Sequence, residues 1–113
     1  MTDHAVRKTI EDIKALGKLS GVDVANIADV SKATVSRWTT GKASPQPRTQ
    51  LVLSDLRYIV SRLEEFYAPD EIRTWLISRN ELLDGETAID LIHQNRTEEV
   101  LAAIERLDSL TYL

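Results

Sequence analysis

Cysteine is absent from the 113 residues, which removes disulfides, thiolate nucleophiles and Cys-based zinc sites together. A small fold without covalent staples suits a reducing cytoplasm. Histidine occurs only at His4 and His93, so few side chains titrate near neutrality. Aromatic residues make up 5% of the chain. They do not alternate with β-branched residues, and no Asn-Gly dipeptide occurs, so strands are not expected. No apolar run reaches the roughly 18–20 residues needed to cross a bilayer. Met1-Thr2-Asp3-His4 is polar where a signal peptide would turn apolar. The expectation is a soluble, cytoplasmic protein with no membrane partner. What is present in quantity is apolar residue, at 42%. That is enough to bury a core, either one ordinary domain or two small helical units sharing one core.

Acids are scarce in the first half and dense in the second. Residues 1–50 carry eight bases and five acids, a net +3, whereas residues 51–113 carry six bases and thirteen acids, a net −7. The overall −4 therefore hides a mildly basic half joined to a strongly acidic one, which points to two partners of opposite charge.

Helical spacing recurs along the chain. Val6, Ile10, Ile13 and Leu16 form one apolar stripe that stops at Gly17. Ser20-Gly21-Val22-Asp23 reads as a capping box opening a second helix that runs to about Ala28. Ser31 caps a third helix ending near Gly41. Pro45 and Pro47 make the following stretch a linker. A long helix is predicted from about Arg48 to Tyr67, with Val52, Leu56, Ile59, Val60, Leu63, Phe66 and Tyr67 facing inward. Pro69 fits the first turn of the next helix, which carries Ile72, Trp75 and Leu76. Asn80 to Leu83 reads as a single helical turn closed by Gly85. Thr87 caps Ala88–His93, and Thr97 caps a last helix from Glu98 to about Asp108, with Glu98 and Glu99 at its positive end. The expected fold is all-α. An N-terminal helix-turn-helix bundle, residues 1–47, is joined by the long helix to a small C-terminal helical region within 48–113.

The segment from Val24 to Gly41 is the most informative. Two helices crossing steeply need a small residue at their closest approach, and Ala25 supplies it. They also need a turn residue that tolerates positive φ, and Asp29 stands where glycine is usual. Val30, Val35 and Trp38 serve as apolar plugs. The opposite face then carries Ser31, Lys32, Ala33, Ser36, Arg37 and Thr40, a short, cationic, acid-free surface suited to the major groove. Arg37 can take guanine O6 and N7 together, or a phosphate. Ser31, Lys32, Thr34 and Ser36 suit phosphates near the helix N-terminus, and Lys42 suits a phosphate just beyond the helix.

Ala25, Val30-Ser31, Thr34-Val35-Ser36-Arg37-Trp38 and Gly41 resemble the helix-turn-helix of the Xre family of phage-type repressors. Trp75-Leu76, Arg79-Asn80, Leu82-Leu83-Asp84-Gly85, Thr87-Ala88, Asp90-Leu91-Ile92 and Val100–Ile104 resemble the MbcA/ParS/Xre antitoxin domain, with Ala88 where that family often has proline. Together the two resemblances cover nearly the whole chain. They imply a type II antitoxin encoded beside a RES-domain toxin that destroys NAD. Its C-terminal region would cover the toxin's active site, and its N-terminal region would repress the shared operon by binding operator DNA, as a homo-oligomer alone or within the toxin complex. An acidic half suits a basic pocket built for a dinucleotide's phosphates.

Trp75, Leu82–Leu83 and Leu91–Ile92 read first as core. The tail Ser109-Leu110-Thr111-Tyr112-Leu113 instead holds three large apolar groups in five residues. Asp108, Leu110, Tyr112 and Leu113 are therefore the expected toxin contacts. Catalytic equipment is missing. Glu64–Glu65 and Glu98–Glu99 are neighbours that diverge on a helix rather than dyads, and His93 ends a short helix, where it suits the dipole. No phosphate-binding glycine loop or metal-ligand spacing occurs. The expectation is a non-enzyme without cofactor or metal. Two other readings share the sequence: a dimeric Xre-type repressor with no toxin partner, and a protein-binding adaptor whose helix-turn-helix is silent.

Overall fold

The computed structural model describes residues 3–111, with side chains described for 5–110. Seven α-helices follow one another among these residues: α1 (Asp3–Leu16), α2 (Gly21–Ala28), α3 (Lys32–Thr39), α4 (Pro47–Leu63), α5 (Pro69–Ile77), α6 (Ala88–His93) and α7 (Thr97–Thr111). The all-α expectation holds, with one correction between α5 and α6. Two short strands, β1 (Arg79–Asn80) and β2 (Glu86–Thr87), flank a 3-10 turn at Glu81–Leu83 and pair antiparallel, Arg79 with Thr87 and Asn80 with Glu86. The turn makes the pairing possible. The Asn80 side chain accepts from the Leu82 N–H at 2.9 Å, and Asp84 and Gly85 are left-handed at φ 56 and 83. The Gly85 N–H then donates back to the Asn80 carbonyl at 2.9 Å. Strands of two residues are too short to leave an alternation in the sequence.

The helix punctuation is local chemistry. Asp23 N–H donates to the Ser20 hydroxyl at 3.1 Å, and Ser20 N–H donates to the Asp23 carboxylate at 2.9 Å, completing the capping box. Asp29 takes the left-handed conformation, φ 59 and ψ 47. It lets the Val30 N–H reach the Ala25 carbonyl at 2.9 Å, so α2 ends sharply and α3 can begin at once. Ser31 Oγ accepts from the Thr34 N–H at 3.1 Å. Gly41, at φ 78, closes α3 with the Lys42 N–H donating to the Arg37 carbonyl at 2.9 Å. Thr87 Oγ1 accepts from the Asp90 N–H at 3.1 Å. The last helix departs from expectation at both ends. Thr97 is its first residue rather than a flanking cap, and the helix continues through Thr111. Before it, Asn95 turns left-handed at φ 62, and Arg96 forks onto the Glu99 carboxylate at 2.6 and 2.8 Å.

One apolar cluster unites the helices, from Val6, Ile10 and Ile13 of α1 to Val100, Ala103 and Ile104 of α7. Its axis is α4, which buries Leu53, Leu56, Ile59, Val60 and Leu63. Leu53 takes the place expected for Val52, which is only partly buried. The helix runs from Pro47 to Leu63 rather than to Tyr67, and the rest of the expected face, Leu56, Ile59, Val60 and Leu63, is buried. Phe66 and Tyr67 follow α4 and pack against the core from its edge. Trp75, Leu76, Leu83, Leu91 and Ile92 are buried, as read from the sequence. Gly17 lets α1 press close to α4, since a Cβ there would stand 3.1 Å from the Ile13 carbonyl oxygen and 3.3 Å from Val60 Cγ2. α2 and α3 pack together, α6 rests on α2, and α7 lies along α4. Each fully buried Leu or Ile contributes roughly 1.5–3 kcal/mol relative to exposure.

Candidate nucleic-acid interface and partner-binding surface

The turn at Asp29 and the Val35 and Trp38 anchors, both buried, fix which side of α3 faces outward. Ser31, Lys32, Ser36, Arg37, Thr40 and Lys42 are exposed, and Thr34 is half-buried. Three of them are partly engaged in holding the helix. The Ser31 hydroxyl meets the Thr34 hydroxyl at 2.9 Å, and Thr40 Oγ1 donates to the Ser36 carbonyl at 3.1 Å. Lys32, Arg37 and Lys42 are not so engaged. Together with Arg48 they are exposed, and none has an ion pair among the described residues. No acid occurs in the sequence between Asp29 and Asp55. Of the six bases in residues 51–113, Arg57, Arg62, Arg73 and Arg96 are each paired to a carboxylate, while Arg79 and Arg106 have no ion pair among the described residues. Unpaired, hydrated cations on one side of a molecule are what a polyanion needs. Arg48 was not singled out by the sequence pattern because it lies beyond the proline linker. The signal that finds it is the acid-free run.

Behind this face, a cleft of about 620 Å³ separates the α2–α3 turn, the start of α4 and the end of α6, with Asp29, Thr34, Trp38, Arg48 and His93 among its walls. His93 Nε2 stands 3.6 Å from Asp29 Oδ2, so the last turn of α6 meets the α2–α3 turn directly. A second tie joins Arg73 of α5 to Asp23 of α2 at 3.4 Å. Burial pushes the Asp23 carboxyl upward, but the Ser20 N–H and hydroxyl, with Arg73, outweigh it and hold the pKa below the usual value of 3.8.

On the acidic half, Asp108 is half-buried near the end of α7 and Leu110 is 55% exposed. Tyr112 and Leu113 lie outside the described residues. The tail expected after Asp108 is therefore helical as far as Thr111. The Ser109 hydroxyl donates to the Glu105 carbonyl at 3.2 Å. Sequence periodicity did not single out Leu51 and Tyr58, which α4 leaves 60% and 51% exposed. Their seven-residue spacing was the available signal. Among the described residues no group of His, Asp and Glu is arranged to hold a metal ion, and no helix is long and apolar enough to cross a membrane.

No protein-family model matches the chain. Curated relatives do. The mycobacterial cidal antitoxin MbcA of Mycobacterium tuberculosis is 34% identical over 95 residues, 84% of this chain and 83% of that protein. A probable mycobacterial cidal antitoxin of the same species, Rv3188, is 34% identical over 105 residues, 91% of this chain and 89% of the relative. Among solved structures, the crystal structure of the M. tuberculosis MbcT–MbcA toxin–antitoxin complex contains a chain that matches with a TM-score of 0.77 and 30% identity, covering 88% of this chain and 89% of that one. The likeness spans both the basic and the acidic half, and on it the chain belongs to the MbcA family, the antitoxins of toxin–antitoxin systems.

Proposed function

We propose that this antitoxin neutralises a cognate RES-domain, NAD-degrading toxin by covering its active site, and represses its own operon through a helix-turn-helix formed by α2 and α3. Residues 1–47 supply the DNA contacts and residues 48–113 the toxin contacts. The observation that carries the DNA arm is the set of three exposed, unpaired cations, Lys32, Arg37 and Lys42, on an acid-free stretch. Arg37 reads a base, and Ser31, Lys32, Thr34, Ser36, Thr40 and Lys42 hold phosphates. The toxin arm is supported by the likeness to an antitoxin solved in complex with its toxin and by the net −7 of residues 51–113. Asp108 and the end of α7 approach bases meant for NAD phosphates, and Leu110, Tyr112 and Leu113 act as apolar anchors. The chemistry belongs to the toxin. The chain works without a cofactor, in the cytoplasm where operator and toxin are found.

The test separates the two arms. Removing residues 109–113 spares Leu107, the last side chain packed against the core among the described residues, so the fold and operator binding persist. Cells co-expressing the toxin with this truncated chain lose NAD and stop growing. Arg37→Ala weakens specific operator binding by about 1–3 kcal/mol, while protection from toxin is unchanged. Full rescue by the truncated chain at matched expression refutes the tail contact, and operator binding equal to the parent's in Arg37→Ala refutes the reader.

A further inference from the structure

One side of α5 sets two aromatic rings beside two carboxylates. Asp70 and Thr74, and likewise Glu71 and Trp75, are four residues apart, so all four share that side of the helix. With Tyr67, which precedes α5, they line a cleft of about 360 Å³. Trp75 is only 9% exposed and belongs to the core, and Tyr67 packs partly buried against the same core. The Phe66 ring stands 6.4 Å from the Tyr67 ring at a tilt of 57°, which helps to fix the Tyr67 ring in place.

The charge lining the cleft is of one sign. Asp70 and Glu71 are exposed carboxylates, and no base is among the lining residues. Arg73, on the same helix, is turned onto Asp23 at 3.4 Å. A cation of the chain itself is already drawn to the rim, where the Lys18 ammonium rests 3.5 Å from Asp70. Glu71 has no ion pair among the described residues. Two carboxylates against that ammonium leave the mouth negative. Rings attract a cation through their quadrupole, and carboxylates take charged N–H donors. A guanidinium satisfies both at once, because it is flat, weakly hydrated and rich in donors, whereas an ammonium is compact and holds its water.

We propose that this cleft is a subsite for an arginine side chain of the cognate toxin, which lies against the Tyr67 and Trp75 rings and donates to Asp70 and Glu71. The inference rests on the reading of residues 48–113 as the toxin-binding region and adds to it a contact made by α5 rather than by the end of α7. The net −7 of residues 51–113 suits a basic partner: the exposed carboxylates steer it in, and the rings retain it.

Two titrations of the full chain test the proposal. In the first the probe is N-acetyl-arginine N-methylamide, followed by NMR. The Trp75 indole and Tyr67 ring signals shift and saturate in the millimolar range expected of a lone side chain, those of Trp38 stay, and the neutral citrulline analogue moves none of them. In the second, toxin binding is measured by calorimetry. Asp70→Asn combined with Glu71→Gln raises the dissociation constant about tenfold or more and flattens its salt dependence. Operator binding and helical circular dichroism stay as in the parent, since Gln still accepts the Ala68 N–H that Glu71 holds at 2.9 Å and the exposed Lys18–Asp70 pair contributes little. Tyr67→Leu weakens toxin binding more than Tyr67→Phe, which keeps a ring face for the cation. Parent signals that ignore the blocked arginine, or follow the citrulline analogue equally, overturn the proposal. Toxin affinity indifferent to the double variant overturns it as well. A parent that binds no toxin refutes the proposed function and with it this occupant, while the arginine titration still reports whether the cleft takes a guanidinium.

Discussion

Replacing Asp23 by alanine removes two things at once, and the structure lets their sizes be separated. The carboxylate accepts the Ser20 N–H at 2.9 Å, half of a capping box whose loss costs about 1 kcal/mol. It also faces Arg73 across 3.4 Å. Asp23 is 15% exposed and Arg73 41%, so water screens that pair, and its share is about 0.3–1 kcal/mol. The expected total is about 1–2 kcal/mol, or a fall in Tm of roughly 4–8 °C for a domain of this size. Urea unfolding of the parent, Asp23→Ala, Arg73→Ala and the double variant resolves the two parts. Arg73→Ala alone loses only the screened pair. The pH dependence follows from the carboxyl's lowered pKa. Its contribution is present above the ordinary value of 3.8 and disappears as pH falls through the lower folded value, so parent and Asp23→Ala converge in acid. Equal destabilisation by Asp23→Ala and Arg73→Ala would refute the reasoning, because the capping half would then contribute nothing.

Asp55 has its pKa raised by burial alone, so Asp55→Asn raises the urea midpoint at pH 7, and the gain vanishes once pH drops below the ordinary 3.8. Gly41 is at φ 78 with open space around it. Gly41→Ala therefore costs about 1–2 kcal/mol from backbone conformation alone, and Gly41→Asn costs less, both read by urea unfolding. Leu53 is fully buried: Leu53→Ala costs about 2–5 kcal/mol and Val52→Ala distinctly less, in the same assay.

What could be read in the sequence was mostly what depends on near neighbours. The Ser20–Asp23 box, the Ser31 and Thr87 caps, the left-handed Asp29 and the close of α3 at Gly41 each involve residues within five positions of one another. Residue type alone nearly dictates them. The misses were of two kinds. The β1–β2 pairing turns on Asp84-Gly85, a hairpin dipeptide present in the sequence but flanked by strands too short to alternate, and the 2.9 Å Arg62–Glu105 contact joins residues that only the folded chain brings together. The exchange of Leu53 for Val52, and of Thr97 from cap to first turn, are one-residue matters of phase, because adjacent apolar residues satisfy a helical period almost equally well. On the candidate surfaces, the exposed face of α3 followed from helix phase, whereas Leu110 was singled out by the tail's apolar composition and not as part of a helix. The ties from Asp29 to His93 and from Asp23 to Arg73 did not, since each depends on how the two halves pack.

The core that runs unbroken from Val6 to Ile104 has a consequence for how the protein is lost. A chain whose two ends share one set of buried contacts unfolds in a single cooperative step. A protease pulling on either end meets the same barrier, and once past it leaves no surviving fragment. On the proposed function, turnover is then all-or-none: the event that frees the toxin also empties the operator. The ratio of intact antitoxin to toxin becomes one variable that sets both growth arrest and resynthesis.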